Sequence, residues 1–286
     1  MPSETIAIVL VAAVAHAVWN LASKYKRGDT LLFVWSYTCA SAVLCVPIGL
    51  VIVATGARQL SWPLLLGSLV SAAFHLAYSV TLQAGYDRAE LSVVYPIARG
   101  TGPVLTMLFA IVVLQEHITP VAILGALVVI AGILLVAGNP FAGRHRSPLP
   151  GMLWGAATGA SIAGYTLWDS YSITGLHLEP VSYYAGTLLL QTLMLSPGAL
   201  RRRARIPTAV RANAGPILTV AVLSPLAYIL VLTAMRTAPV ALVAPLRESS
   251  IVIGSLLAWR LFRERNLARR LAGAGIVLAG IAAITL

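Results

Sequence analysis

Residues 114–136, LQEHITPVAILGALVVIAGILLV, recur in altered form at 262–284 as FRERNLARRLAGAGIVLAGIAAI, with Glu116 and Glu264 in matching places ahead of a run rich in small residues. Working outward, LAYSVTLQAG at 76–85 faces LAYILVLTAM at 226–235, and Trp19-Asn20 faces Trp168-Asp169. The chain therefore reads as two related halves, 1–140 and 148–286, each with five apolar spans. An odd number of spans turns the second half upside down relative to the first. The charges agree, because the loop after the second span is nearly neutral while its counterpart after the seventh holds five arginines. Inverted repeats mark transporters for a physical reason: two related halves can exchange conformations and present one midplane site to each side in turn.

The 286 residues are 59% hydrophobic and only 10% charged, with a mean hydropathy of +0.88. A soluble domain carries about 25% charged residues, so this composition cannot cover a water-facing surface. Crossing a hydrocarbon core of about 30 Å takes about 20 apolar residues, and the chain divides into ten such spans: 5–23, 31–54, 63–85, 89–114, 120–138, 150–171, 180–200, 215–235, 239–261 and 267–286. The runs are continuously apolar rather than alternating, which selects helices over a barrel. Pro63, Pro120, Pro150, Pro180 and Pro239 open spans, where a missing N–H costs nothing. The expected fold is an all-α integral membrane bundle of ten transmembrane helices arranged as two inverted five-helix repeats.

Cys39 and Cys45 share one span and read as small buried residues, with no disulfide framework or metal site. Ala15-His16-Ala17 imitates a leader cleavage site, yet the basic cluster Lys24, Lys26, Arg27 follows the apolar run instead of preceding it, so the first span is expected to be retained. Sixteen of the 20 Lys and Arg fall in odd-numbered loops, two (Arg58 and Arg236) in even-numbered ones, and Arg99 and Arg247 lie inside spans. That asymmetry puts the odd loops in the cytoplasm and both termini outside. The net charge of +11 resides in those loop clusters and signals topology, not nucleic-acid binding.

Polar residues within spans are expensive and point by default to the bundle interior or a watery cavity. His16, Trp19, Asn20 and Ser23 line one helical face, mirrored by Tyr165, Trp168 and Asp169 in the sixth span. Two readings stand: a shared polar centre, or interfacial aromatic and helix-end groups. His75 and Tyr78 lie one turn apart in the third span, where cavity lining competes with an ordinary helix-to-helix contact, and Tyr228 occupies the place of Tyr78 in the second half. The fourth span holds VVYPIARGTGP, with Tyr95 and Arg99 on one face and Pro96, Gly100, Gly102 and Pro103 weakening the helix; its counterpart VAPLRESS carries Arg247 and Glu248. A proline-interrupted helix near the midplane frees backbone groups for polar cargo. Arg247 and Glu248 equally suit a pairing with each other or with Arg99 that ties the halves together. Trp19, Asn20, His75, Tyr78, Tyr95, Arg99, Tyr165 and Trp168 are the expected substrate-binding set, with Arg99 as partner of a carboxylate and Glu248 or Asp169 of an ammonium. His16, Asp169 and Glu248 are candidates for proton or charge coupling.

On these residues the chain resembles a known family. VVLQEHITPVAILGALVVIAGILLV, with Glu116 closing the fourth span, and LFRERNLARRLAGAGIVLAGI, with Glu264 in the matching place, resemble the ends of EamA repeats of the drug/metabolite transporter superfamily. AHAVWNLASK at 15–24 is similar to that family's first helix, and the resemblance covers essentially the whole chain. It implies a ten-helix bundle that exports small metabolites, often amino acids. The aromatic centre resembles the YddG-type amino-acid exporters, which implies His75, Tyr78, Tyr95 and Trp168 as cavity lining; Arg247-Glu248 lies outside the family pattern.

The expected function is export of a small-molecule substrate across a bacterial inner membrane by alternating access, with amino acids, aromatic or apolar ones included, as cargo. No cofactor or metal is implied, the partners are the substrate and the lipid bilayer, and the sequence leaves the oligomeric state open, a monomer included. A lipid or polyprenyl-carrier flippase is the alternative, requiring a lateral opening. An enzyme using His75 or Glu248 as base is disfavoured by the lack of H-E-x-x-H, G-x-S-x-G or clustered metal ligands in the sequence.

Overall fold

A computed structural model describes residues 1–55, 61–89, 91–137, 149–262 and 267–285. These fold into α1 (Ser3–Ser23), α2 (Thr30–Ala54), α3 (Trp62–Arg88), α4 (Leu91–Val112), α5 (Pro120–Ala137), α6 (Leu149–Thr174), α7 (Pro180–Leu200), the short α8 (Ile206–Ala212), α9 (Ala214–Ala234), α10 (Val240–Arg247), α11 (Ser250–Phe262) and α12 (Leu267–Thr285), with no strand among the described residues. The starts follow local chemistry. Asp29 caps α2 by accepting from the N–H groups of Leu31 and Leu32 at 2.9 and 3.3 Å, and Glu179 caps α7 by accepting from Val181 and Ser182 at 3.0 and 2.7 Å. Pro180 follows directly at a position whose N–H has no helical acceptor anyway.

Among the described residues, α1, α2, α3, residues Val93–Val112 of α4, and α9 are long and apolar enough to cross a membrane, while Pro120–Val136 and Leu271–Ile284 are shorter apolar runs. Large apolar side chains face outward, and ionisable ones are buried within the bundle. Val43, Leu124, Leu218 and Leu278 are 61–68% exposed, whereas Asp169, Arg247 and Glu248 are at most 4% exposed. Water would penalise such a distribution and lipid favours it. This is a multi-pass membrane protein.

Of the two proline interruptions expected, one is found. The ninth span, 239–261, is broken: α10 ends at Arg247 and α11 begins at Ser250. Pro245 supplies no N–H and crowds the preceding turn, and the chain tightens into bonds from Glu248 N–H to the Pro245 carbonyl and from Ser249 N–H to that of Leu246, both 3.1 Å. The fourth span, with its own prolines and glycines, instead runs unbroken from Leu91 to Val112. The proline break therefore belongs to one repeat only. The arginine-rich loop after α7 also carries structure, a 3₁₀ turn (Arg203–Arg205) leading into α8.

Helix packing follows the repeat. α1 packs on α9 as α6 packs on α3; α2 meets α9 as α7 meets α3; α4 meets α6 as α11 meets α1; α2 with α7 and α5 with α12 pair each helix with its own counterpart. The α5–α12 seam shows the symmetry atom by atom. A Cβ on Gly125 would lie 2.8 Å from the Gly280 carbonyl oxygen, and one on Gly132 would lie 2.9 Å from that of Gly273. Gly125 matches Gly273 in the repeat and Gly132 matches Gly280, so the contacts cross over as they do in a two-fold interface.

The loops sort by end. Arg27 and Asn213 exchange hydrogen bonds of 2.7 and 3.0 Å, and Arg202 donates to the Asp29 carboxylate at 2.5 Å, so the connections after α1 and α7 meet. At the opposite end Thr5 bonds Thr237 at 2.9 Å, and Glu116 accepts from the first N–H groups of α10, Val240 and Ala241, at 3.0 and 3.2 Å. Glu264, its partner in the repeat, lies outside the described residues, as do Arg58 and the stretch 138–148 between the halves.

Candidate functional site

A cavity with an empty volume of about 1050 Å³, its open mouth included, lies between the halves. Helices α1, α2, α3, α4, α6, α7, α9 and α10 all contribute to its wall. Of the expected residues His16, Trp19, His75, Tyr78, Arg99 and Tyr165 line it, joined by Tyr37, Ser41, Tyr184, Gln191, Ser224, Tyr228 and Arg247. The lining spreads past Trp19 near the end of α1, Val34 near the start of α2 and Leu195 near the end of α7, toward the end where the loops after α1 and α7 meet.

The wall is an aromatic stack with a basic patch. His75 lies flat on Tyr165 at 4.2 Å between centroids and edge-on to Tyr228 at 5.3 Å, while Tyr184 packs on Tyr228 at 4.7 Å and Tyr78 edges Tyr165 at 5.9 Å. The His75 Nδ1 lies 2.9 Å from the Ser71 carbonyl, an acceptor only, so that nitrogen carries the proton and Nε2 is left as the acceptor of the neutral ring. Arg99 stands over the Tyr95 ring at 5.4 Å and Arg247 over Tyr165 at 5.8 Å.

Two buried carboxylates border this wall without lining it. Glu248 accepts from Arg99 at 3.1 Å through one oxygen and from Arg247 at 3.0 Å through the other, so both pairings read from the sequence exist together. Asp169, fully buried, accepts from the Tyr183 hydroxyl at 2.6 Å and from the Tyr228 hydroxyl.

The remaining expected wall residues are placed elsewhere. Asn20 donates back to the His16 carbonyl at 3.0 Å and Ser23 to that of Trp19 at 2.9 Å, so this end of the polar stripe is satisfied within its own helix. Trp168 donates to the Gly67 carbonyl at 2.9 Å and packs on Tyr171, tying α6 to α3 away from the cavity. Tyr95 sits behind Arg99, as its cation–π partner. Reading the sequence missed Tyr37, Tyr183, Tyr184 and Gln191. The usable signal was there in α7, where Tyr184, Leu188, Gln191 and Leu195 recur on one helical face.

No group of three or more His, Cys, Asp or Glu is placed to hold a metal among the described residues. The model of the EamA-like transporter family matches the chain twice, over residues 4–138 and 149–286. The chain belongs to the EamA-like transporter family. Its two EamA segments are the two halves whose helices exchange contacts above, and EamA membership makes the protein a membrane transporter of the drug/metabolite type. A solved structure titled only as the crystal structure of a protein superposes with a TM-score of 0.79 at 19% identity, covering 100% of this chain and 97% of that one, which shows a shared fold. No curated protein matches the sequence.

Proposed function

We propose that the protein exports small metabolites, with aromatic or apolar amino acids as leading cargo, in the manner of the YddG-type members of its family. The observation that carries this reading is the aromatic cavity between the two EamA segments, with Arg99 and Arg247 in its wall. Apolar cargo packs against the aromatic wall, while a carboxylate meets guanidinium. The same reading takes the chain as ten spans in two inverted units, 1–140 and 148–286, in a bacterial inner membrane, with a small-molecule substrate and the lipid bilayer as partners. With the basic loops after α1 and α7 in the cytoplasm and both termini outside, the cavity spreads toward the side from which an exporter loads. Alternating access then follows from exchange of conformations between the halves. Of the expected substrate-binding set, Trp19, His75, Tyr78, Arg99 and Tyr165 contact cargo, while Asn20, Tyr95 and Trp168, expected there too, hold the wall; His16, which also lines the cavity, Asp169 and Glu248 take part in proton or charge coupling.

The test is flux in proteoliposomes containing the purified full chain and a panel of radiolabelled amino acids and related metabolites. Substrate-dependent movement abolished by Tyr165→Ala, in protein that still folds, is the expected result. No movement of any panel member above empty liposomes overturns the reading, and movement of labelled lipid in its place favours a flippase.

A further inference from the structure

The cavity's lining is cationic. Among the described residues Arg99 and Arg247 line it and no carboxylate does; Glu248, whose two oxygens each take one N–H from them, and Asp169 border it. Each guanidinium offers five donors, and among the described residues the Arg247 Nε is buried without an acceptor. Two more cavity-lining residues bury unpartnered donors, Trp19 at Nε1 and Gln191 at Nε2. A lining that presents guanidinium groups and no carboxylate among the described residues favours an anion.

An ammonium meets the opposite situation. Glu248 is held between two arginines, and Asp169, fully buried behind the wall, already accepts from Tyr183 and Tyr228. Aromatic faces attract cations too, but Tyr165 is already covered by His75 and Arg247, and Tyr228 packs against Tyr184 and His75. Resting on the transport reading above but replacing its leading cargo, we infer that the cavity binds a monoanionic carboxylate with an aromatic or apolar body, in preference to the zwitterion bearing the same side chain. Arg99, the guanidinium more open to the cavity with its side chain 12% exposed against 5% for Arg247, receives the carboxylate.

Three probes of one skeleton separate the cases: 3-phenylpropionate, phenylalanine and phenethylamine, titrated calorimetrically into the full chain in detergent micelles. The anion binds at least about tenfold tighter than the zwitterion, and the amine gives no binding. Arg99→Gln lowers anion affinity by about tenfold to a hundredfold, the worth of one charge-assisted hydrogen bond, and collapses the anion-to-zwitterion ratio; Arg99→Lys restores the ratio. A purely structural Arg99 would shift thermal stability and leave that ratio unchanged. Phenylalanine binding as tightly as phenylpropionate, any binding of the amine, or no binding of all three overturns the inference. Flux of phenylalanine in the amino-acid panel without phenylpropionate binding leaves the transport reading standing and removes only this one.

Discussion

Replacing Glu248 with Gln tests the charge cluster most directly. The Glu248 side chain is 2% exposed, that of Arg247 5% and that of Arg99 12%, so bulk solvent screens the cluster little. Gln keeps the shape but accepts through one oxygen only and turns its amide N–H₂ toward a guanidinium. One charge-assisted hydrogen bond disappears, worth about 1.5–3 kcal/mol, and two cations are left without a counter-charge. Removing one partner of a buried pair costs about 3–5 kcal/mol; the partial opening of Arg99 to the cavity places Glu248→Gln at the lower end, about 3 kcal/mol. Equilibrium unfolding in mixed micelles on titration with sodium dodecyl sulfate reads this difference. Arg99→Gln combined with Glu248→Gln closes a double-mutant cycle, and the pair is expected to be less destabilised than the sum of the singles by about 1–3 kcal/mol. Glu248→Gln within about 0.5 kcal/mol of the wild type, or strict additivity in the cycle, would refute the claim that the three side chains act as one cluster.

At the α5–α12 seam Gly125→Val drives a side chain against the Gly280 carbonyl 2.8 Å from the new Cβ and costs about 1–3 kcal/mol in the same unfolding assay. Gly275→Ala, with nothing within 4 Å, is neutral or stabilising by up to about 1 kcal/mol through helix propensity. Glu116→Ala strips the acceptor from two N–H groups at the start of α10 and destabilises by about 1–2 kcal/mol, while Glu116→Gln loses less. Tyr228→Phe leaves buried Asp169 with Tyr183 alone and costs about 1–3 kcal/mol, measured by unfolding. The Asp29 carboxyl lies below the usual carboxylate range: its slight burial opposes this, but the N–H groups of Leu32 and Leu31 and the Arg202 guanidinium outweigh it. A depressed carboxylate stabilises the fold above its unfolded pKa and loses that contribution as pH falls through its folded value. Wild type and Asp29→Asn should therefore differ most near pH 7 and converge only as pH falls below the usual carboxylate range, the difference shrinking in high salt.

The repeat was legible because it lives in local pattern. The stretches at 114–136 and 262–284 align by eye, and span lengths follow from hydropathy alone. The cavity was half legible. His75, Tyr165 and Arg99 stand out because polar groups in apolar helices are costly enough to demand a polar surrounding. Trp168 and Asn20 were read into the same wall because helical spacing fixes a face to within about 100° per residue but not which neighbour covers that face; Trp168 finds the Gly67 carbonyl and Asn20 its own helix. Tyr184 and Gln191 escaped notice because they follow a proline-capped start in a helix whose partners across the bundle, α2 and α3, are set only by tertiary packing. The asymmetry of the prolines was equally hidden, since Pro96 and Pro245 occupy matching places and only the second accompanies a break.

Those matching prolines also explain the charge pair. Three residues beyond Pro96 stands Arg99, and three beyond Pro245 stands Glu248, so the 3.1 Å ion pair joins equivalent positions of the two repeats. A residue meets its own counterpart only close to a two-fold axis. Identical charged side chains there would repel, and opposite charges at one repeat position are a way to keep ionisable groups beside such an axis. In a cycle of the kind proposed above, each half adopts in turn the conformation of the other, which carries a pair near the axis onto itself with its separation unchanged. Contacts away from the axis have no such protection: Thr5 with Thr237 at one end and Arg27 with Asn213 at the other are exchanged for their counterparts. On that proposal the Arg99–Glu248 pair serves as the pivot of the cycle.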